Sequence, residues 1–252
     1  MKKKIVIKNI LSDAWKIFSE HWWKMILAFL LVWAVSFILG QFSLSVDPTT
    51  GLSSGHWVFN IIGYIASVYF GMGIIRYTLN LVDGEGKFTD IFKGPQTFLH
   101  ALVFVGTQFV LALGGLIALG IPAGLGILAL AQDSTILSIV GVILLVAAGI
   151  GLIILSLGFS QLQYVVVDEY RSFFDNLKRA WIIAKPYLGD IFIFGWVLIF
   201  LNLAGVIAFG VGLLVTIPWT TLMTIMYYRQ LRDIADNTIT VEGESTEDID
   251  SE

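Results

Sequence analysis

Residues 191–226 contain no charged side chain, and this long apolar stretch is the feature that most constrains the fold. A helix crosses the hydrocarbon core of a bilayer with about 20 apolar residues, so the stretch is too long for a single crossing. Gly205, Gly210 and Gly212 lie in its middle, where they favour a turn. The stretch therefore predicts a hairpin of two membrane-spanning helices.

The segment before this hairpin, residues 173–184, has the pattern of a helix that lies in the membrane interface. Its apolar residues share one side of the helix, and Asp175, Lys178, Arg179 and Lys185 lie on the other. Residues 9–22 repeat the pattern, and Pro186 predicts a bend into the following span. The candidate interfacial anchors are Trp15, Phe173, Phe174 and Trp181.

The composition excludes a soluble domain, because 57% of the residues are hydrophobic and only 13% are charged. We predict an all-α polytopic membrane protein with about six spans and amphipathic interfacial helices. The expected spans are 25–44, 57–81, 98–119, 136–167 and the two arms of the hairpin, with a break at 120–124. The absence of Cys excludes disulfides. The chain also has no excess of basic residues that would indicate binding to nucleic acid.

The Lys and Arg residues all fall on one side of the membrane when six spans are assumed. Lys2 to Lys24, Arg76 to Lys93, Arg171 to Lys185, and Arg229 with Arg232 occupy alternate connections and the termini. By the positive-inside rule, this distribution predicts a protein of the cell membrane with both termini in the cytoplasm. Residues 1–232 are expected to form one membrane domain, followed by an acidic, disordered tail over 233–252.

Matching positions predict three related units, at about 9–83, 88–168 and 172–232. Ala14-Trp15 corresponds to Ala180-Trp181, and Asp83, Phe88 and Asp90 match Asp168, Phe173 and Asp175 at identical spacing. The alternative is chance similarity between apolar sequences.

The combination of an amphipathic helix with an Ala-Trp pair, a span, a Gly-rich turn, then GVGLLVTIPW and YYRQL resembles a known family. It is similar to the membrane domain of glycerophosphoryl diester phosphodiesterase and to the related YciC-like, uncharacterised bacterial integral membrane proteins. The resemblance implies a multi-pass membrane protein without a defined activity. In the phosphodiesterases a separate soluble domain with a His-Arg-Gly motif carries the chemistry, and that motif is missing here.

No pattern of residues predicts a catalytic, cofactor or metal site, so we expect a protein that is not an enzyme. His21, His56 and His100 are far apart in the sequence and on different sides of the predicted membrane. Asp168, Glu169 and Asp175 are interspersed with Arg and Lys, as in a charge-balanced membrane rim.

Polar residues inside the predicted spans are more informative, because each needs a partner in hydrocarbon. These candidates are Asn60, Tyr64, Gln108, Asn202 and Thr216. They predict either hydrogen bonds between helices or the lining of a substrate path.

Two functions follow from these observations. The first is a non-enzymatic membrane scaffold or accessory protein that organises lipids or protein partners. The second is a transporter or lipid-handling permease with a cavity between the repeated hairpins. A polar cavity lined by Asn60, Gln108 and Asn202 would favour transport, whereas a core sealed by apolar side chains would favour the scaffold. Membrane lipids are the expected partners, together with an unidentified membrane protein.

The predicted orientation can be tested by labelling single cysteines, because the chain has no native Cys. Cysteine at Ser53 or Ser134 should react with a membrane-impermeant reagent in intact cells. Cysteine at Ser172 or Ser245 should react only after the cells are permeabilised. Labelling of the Ser172 variant from outside would contradict the six-span arrangement.

Overall fold

The computed structural model describes residues 5–43, 57–130, 135–208 and 210–247. These residues form helices and turns, without any strand. The longer helices are α1 (Ile7–Ser43), α2 (Trp57–Val82), α3 (Phe98–Leu130), α4 (Thr135–Gly158), α5 (Leu162–Glu169), α6 (Phe173–Ala184), α7 (Leu188–Ile207) and α8 (Leu213–Glu247). Two short 3-10 helices cover Phe88–Phe92 and Lys185–Tyr187. The protein is an all-α polytopic membrane protein.

Five segments of the described chain are long and apolar enough to cross a membrane: Ile7–Gln41, Val58–Val82, Phe98–Ile117, Ser138–Glu169 and Phe173–Ile207. The sixth predicted span lies in α8, which has 35 residues but is not among the five. Its threonines and the following Tyr-Tyr-Arg lower its hydropathy, so a sixth crossing stays a prediction.

Several predicted boundaries differ from the structure. The interfacial helix at residues 9–22 and the first span form one helix, α1, of 37 residues. At 1.5 Å per residue, α1 is about 55 Å long, more than the hydrocarbon core requires. The predicted break at 120–124 is wrong, because α3 continues to Leu130. Inside a bilayer a helix satisfies its own backbone groups, which favours continuation over an open turn.

The acidic tail also differs from the prediction of disorder, because α8 continues to Glu247. Extending an existing helix fixes one residue for each new hydrogen bond, which is easier than starting a new helix. The side chain of Asn237 donates to the carbonyl of Asp233 (2.7 Å) within this extension. Residues 248–252 lie outside the described part of the chain.

Close contacts divide the chain into two compact units, which are described separately. Unit 1 comprises Met1–Ala101 and Phe194–Glu252, and unit 2 comprises Leu102–Ile193. These bounds do not coincide with those of the three units predicted from the sequence.

The core of unit 1 lies at those ends of its helices where the charged residues occur. There α1 packs against α2 and α8, and α2 packs against the 3-10 helix at Phe88–Phe92. The fully buried side chains include Ile10, Ala14, Met25, Met72, Ile91, Leu222, Tyr227 and Tyr228. In contrast, Phe37, Ile61, Ile65 and Phe200 are exposed on the apolar halves of their helices. Those halves are the surfaces that lipid can solvate.

The glycine-rich turn of the hairpin is confirmed. A turn lies between Ile207 and Leu213, and Gly210 in it has a φ of 77°, which favours glycine. Gly205 and Gly212 touch across the turn, since a Cβ on Gly212 would lie 2.6 Å from the carbonyl oxygen of Gly205. The two helix ends can therefore approach closely only with small residues at these positions.

The 3-10 helix at Phe88–Phe92 is held against α2 by a glycine contact. A Cβ on Gly73 would collide with the backbone of Ile91, so glycine is required for this approach. The guanidinium of Arg76 donates to the carbonyls of Lys93 and Gly94, at 2.8 Å each. This segment before the third predicted span therefore packs on protein.

Asp90 organises this 3-10 helix. Its buried carboxylate accepts hydrogen bonds from the Asn80 amide and the Lys87 backbone, both at 3.0 Å, and pairs with the Lys93 ammonium at 2.7 Å. Burial alone would raise the pKa of Asp90. The hydrogen bonds and the Lys93 charge outweigh burial, so the pKa of Asp90 lies below its ordinary value.

Asp90→Asn should therefore destabilise the protein in a pH-dependent way. A carboxyl with a lowered native pKa contributes its stability above its ordinary pKa of about 3.9, and loses it as the pH falls through the native pKa. We expect a loss of roughly 2 kcal/mol at pH 7, the scale of hydrogen bonds to a charged group. Thermal unfolding in detergent should show that the difference from the native chain shrinks below about pH 4. Asp233→Asn, on an exposed carboxylate, is the control and should change little. A pH-independent difference for Asp90→Asn would contradict the assignment.

Candidate functional site

A groove in unit 2 is a well-formed concave feature of the described chain. It has a volume of about 540 Å³ and lies between α3 and α4. Gln108, Leu111 and Gly115 line it from α3, at the spacing of one helix face. Leu152, Leu155 and Ser156 line it from α4 at the same kind of spacing, and Phe159 lines it just after the end of that helix. Such a volume lies within the usual range for binding pockets, about 300–1,000 Å³.

One end of the groove is bounded by α6, whose start is fixed by local hydrogen bonds. Ser172 caps the helix by accepting from the backbone N–H of Asp175 (3.4 Å). The buried Asn176 side chain donates to the carbonyl of Arg171 (2.9 Å). Arg179 then pairs with Glu169 of α5 at 3.2 Å, which joins the two helices. The connection from α5 to α6 is therefore rigidly specified.

Two aromatic side chains of α6 pack against glycines of neighbouring helices. The ring of Phe173 lies against Gly106 of α3, 3.3 Å from where a Cβ on that glycine would be. The indole of Trp181 lies so close to Gly158 of α4 that a Cβ there would collide with it. Trp181 also packs on Phe159, with ring centroids 5.6 Å apart. Phe173, Leu177 and Trp181 recur every four residues, so α6 contacts α3, the groove and α4 with one face.

The polar groups of the groove lie towards α6. Ser160 and Gln163 follow the end of α4, and Gln108 lies two residues from the Phe173 contact at Gly106. Ser156 and Ser160 donate their hydroxyl hydrogens to the carbonyls of Ile153 and Leu157, at 2.9 and 2.8 Å.

The side-chain amides of Gln108 and Gln163 have no hydrogen-bond partner within the described residues. At the other end Gly115 faces Leu152, whose Cδ2 would lie 4.0 Å from a Cβ added to Gly115. The groove is thus amphipathic, with two free amides at the α6 end and an apolar opposite end.

The other intramembrane polar candidates lie in unit 1. Asn60 and Tyr64 are exposed on α2. The Asn202 amide donates to the Leu198 carbonyl (3.0 Å) and to the Thr220 hydroxyl (3.3 Å). Thr216 lies against Gly205 in the same hairpin. Asn202 therefore makes a hydrogen bond between helices, one of the two roles predicted for this group.

The four predicted anchors have different environments. Phe174 is 77% exposed and is free to contact lipid. Trp15 is also exposed at one edge and packs on Trp219 of α8, with ring centroids 4.9 Å apart. Phe173 and Trp181 pack on glycines of neighbouring helices. Part of the apolar face predicted for α6 therefore packs against protein. The prediction that Arg179 lies on the polar side of the helix is wrong, because Arg179 is buried and pairs with Glu169.

No group of His, Asp and Glu side chains in the described chain is arranged to hold a metal ion. His100 is fully buried and accepts from the backbone N–H of Gln96 (3.4 Å), while His21 contacts the carbonyl of Ile17 (3.2 Å). His56 lies outside the described residues. Of the acidic cluster, Glu169 pairs with Arg171 and Arg179.

Sequence reasoning missed Gly106 and Gly158, the two contacts that place α6. A glycine within an apolar run carries no signal of which aromatic ring will occupy the space beside it. Gln163 lies near the end of the predicted span 136–167 and is not among the polar candidates. Its opposition to Gln108 could not be read from residues that lie 55 positions apart in the chain.

Comparison of the chain with protein-family models, with curated proteins and with solved structures gives no match in any of the three. The resemblance to the membrane domain of glycerophosphoryl diester phosphodiesterase therefore stays a prediction.

The contact between Trp181 and Gly158 gives a direct test of how α6 is positioned. Gly158→Val should displace the indole and release α6, because the added side chain occupies the same space. Gly151→Val is the matched control, since nothing lies within 4 Å of a Cβ at that glycine of the same helix. Limited trypsin digestion should cut after Lys178 at least several times faster in Gly158→Val. Equal rates in the two variants would contradict the contact.

Proposed function

We propose that this membrane protein is a non-enzymatic accessory protein that organises lipid by holding an acyl chain in the groove between α3 and α4. The observation that carries the proposal is the amphipathic lining of the groove. Apolar side chains and glycines line most of it, and the free amides of Gln108 and Gln163 occur only towards α6.

The physical setting favours a lipid as the occupant. Both walls belong to segments that are apolar enough to lie in a bilayer, where an open groove fills with hydrocarbon. Polar groups there are costly without partners, so the amides of Gln108 and Gln163 need a ligand that brings hydrogen-bonding atoms. A glycerolipid supplies both parts, with an acyl chain for the apolar end and ester carbonyls that can accept from the amides.

The same features give less support to the alternative of a transporter. A transport path needs access from both surfaces, whereas the amides of this groove occur only towards α6 and its opposite end is apolar. In unit 1, the Asn202 amide already donates to the Leu198 carbonyl and the Thr220 hydroxyl. Gly205 and Gly212 are in contact at the turn of the hairpin. An enzymatic role that uses a metal ion has no support among the described residues, where no group of His, Asp and Glu side chains could hold one.

Filling the groove should remove the bound lipid. Gly114 lines the groove with nothing within 4 Å of a Cβ, so Gly114→Phe places a ring in the space of the acyl chain. Gly120→Phe, at an open position of α3 outside the groove, is the control. Native mass spectrometry after washing in mild detergent should show one retained phospholipid on the native chain and on Gly120→Phe. Occupancy should fall at least several-fold on Gly114→Phe. Equal retention by both variants would contradict the proposal.

A further inference from the structure

On the side away from their protein contacts, α6 and the residue that follows it carry two lysines and two large apolar side chains. Phe174, Lys178, Ile182 and Lys185 follow one another at helical spacing, and all four are exposed. Lysines beside exposed apolar residues are typical of a helix face at the level of the lipid headgroups.

These two lysines differ from the other cations of unit 2. Arg171 and Arg179 both pair with Glu169. Asp175 accepts from the Ser172 hydroxyl at 2.6 Å. In contrast, Lys178 and Lys185 have no acidic partner within the described residues of the chain. They are therefore the cations available to an external anion.

Lys178 has the better position of the two. It follows Leu177, the residue by which α6 lines the groove, and α6 bounds the end where the free amides of Gln108 and Gln163 occur. Lys185 lies seven residues further along the chain, about 10 Å away along the helical segment. A lipid whose ester group reaches those amides would place its phosphate beyond them, at the level of the α6 surface.

We propose that the groove selects glycerophospholipids with a net negative headgroup, and that Lys178 is the residue that contacts the headgroup phosphate. This inference rests on the proposed function, because it assigns the headgroup of the lipid whose acyl chain the groove holds. The lipid is taken from the leaflet on the Lys- and Arg-rich side of the protein. By the positive-inside rule this is the cytoplasmic leaflet, in which anionic lipids concentrate.

Competition between two lipids tests the selection. The native chain, reconstituted in detergent with equal amounts of phosphatidylglycerol and phosphatidylcholine of identical acyl chains, should retain phosphatidylglycerol about fivefold more often. This factor corresponds to about 1 kcal/mol for one lysine near an anionic surface. Lys178→Gln should abolish the preference but still retain lipid. Lys185→Gln, which removes the same charge from the residue that follows α6, should keep the preference.

The outcomes separate the two proposals. Binding of both lipids without preference by the native chain would overturn the headgroup assignment and leave the groove as a lipid site. Equal loss of preference in both lysine variants would overturn the role of Lys178. Absence of any retained lipid would refute the proposed function itself. Excess soluble glycerol phosphate should not displace the lipid, and displacement would show that the site binds free phosphate.

Discussion

Close approach at glycines is the interaction on which the packing of this protein depends. A bilayer solvates apolar side chains about as well as a protein interior does, so helices within it gain little from burying Leu or Ile against one another. They associate where small residues allow backbone or aromatic contacts at short range. Gly73 beneath Ile91, Gly205 against Gly212, and Gly158 beneath Trp181 are such contacts. Each joins elements whose remaining surfaces are largely exposed.

The distribution of buried side chains follows from the same constraint. In unit 1 the core forms where α1, α2 and α8 leave the apolar part of their sequences, and polar contacts are concentrated there. Asp90 collects three hydrogen-bonding partners, and Arg229 pairs with Asp83. These interactions fix how the helix ends pack on one another, at positions where water would otherwise compete for the hydrogen bonds of the backbone. The apolar halves are left for lipid.

Unit 2 uses glycine contacts to build a site. Because α6 occupies Gly106 and Gly158 with two aromatic rings, α3 and α4 are held at one end with a space between them. The space is polar only where α6 crosses it, and this gradient from apolar to polar is what matches a lipid. Leu177, by which α6 lines the groove, lies on the same face of α6 as Phe173 and Trp181, which position the helix, so the site depends on how α6 docks.

The matching positions that predicted a repeat have similar local roles. Phe88 and Phe173 each begin a helix, and Asp90 and Asp175 are each the third residue of that helix. Ala14 and Ala180 are both fully buried, each beside a tryptophan that packs on another helix. The repeat stays a prediction, but its matched residues do the same work at the start of comparable segments.

The sequence by itself determined the membrane class, the bounds of α2 and α6, and the glycine turn of the hairpin. These features depend on hydropathy, on helical spacing and on backbone conformations, all of which are local. It also indicated Gln108 and Asn202 as polar residues in need of partners, but not which partners they would find. Only the tertiary structure decided that Asn202 bonds to Thr220, that Gln108 shares a groove with Gln163, and that Trp181 packs on Gly158. The physical reason is that an apolar helix face is equally well satisfied by lipid or by another helix, so spacing along the chain cannot say which of the two will cover it.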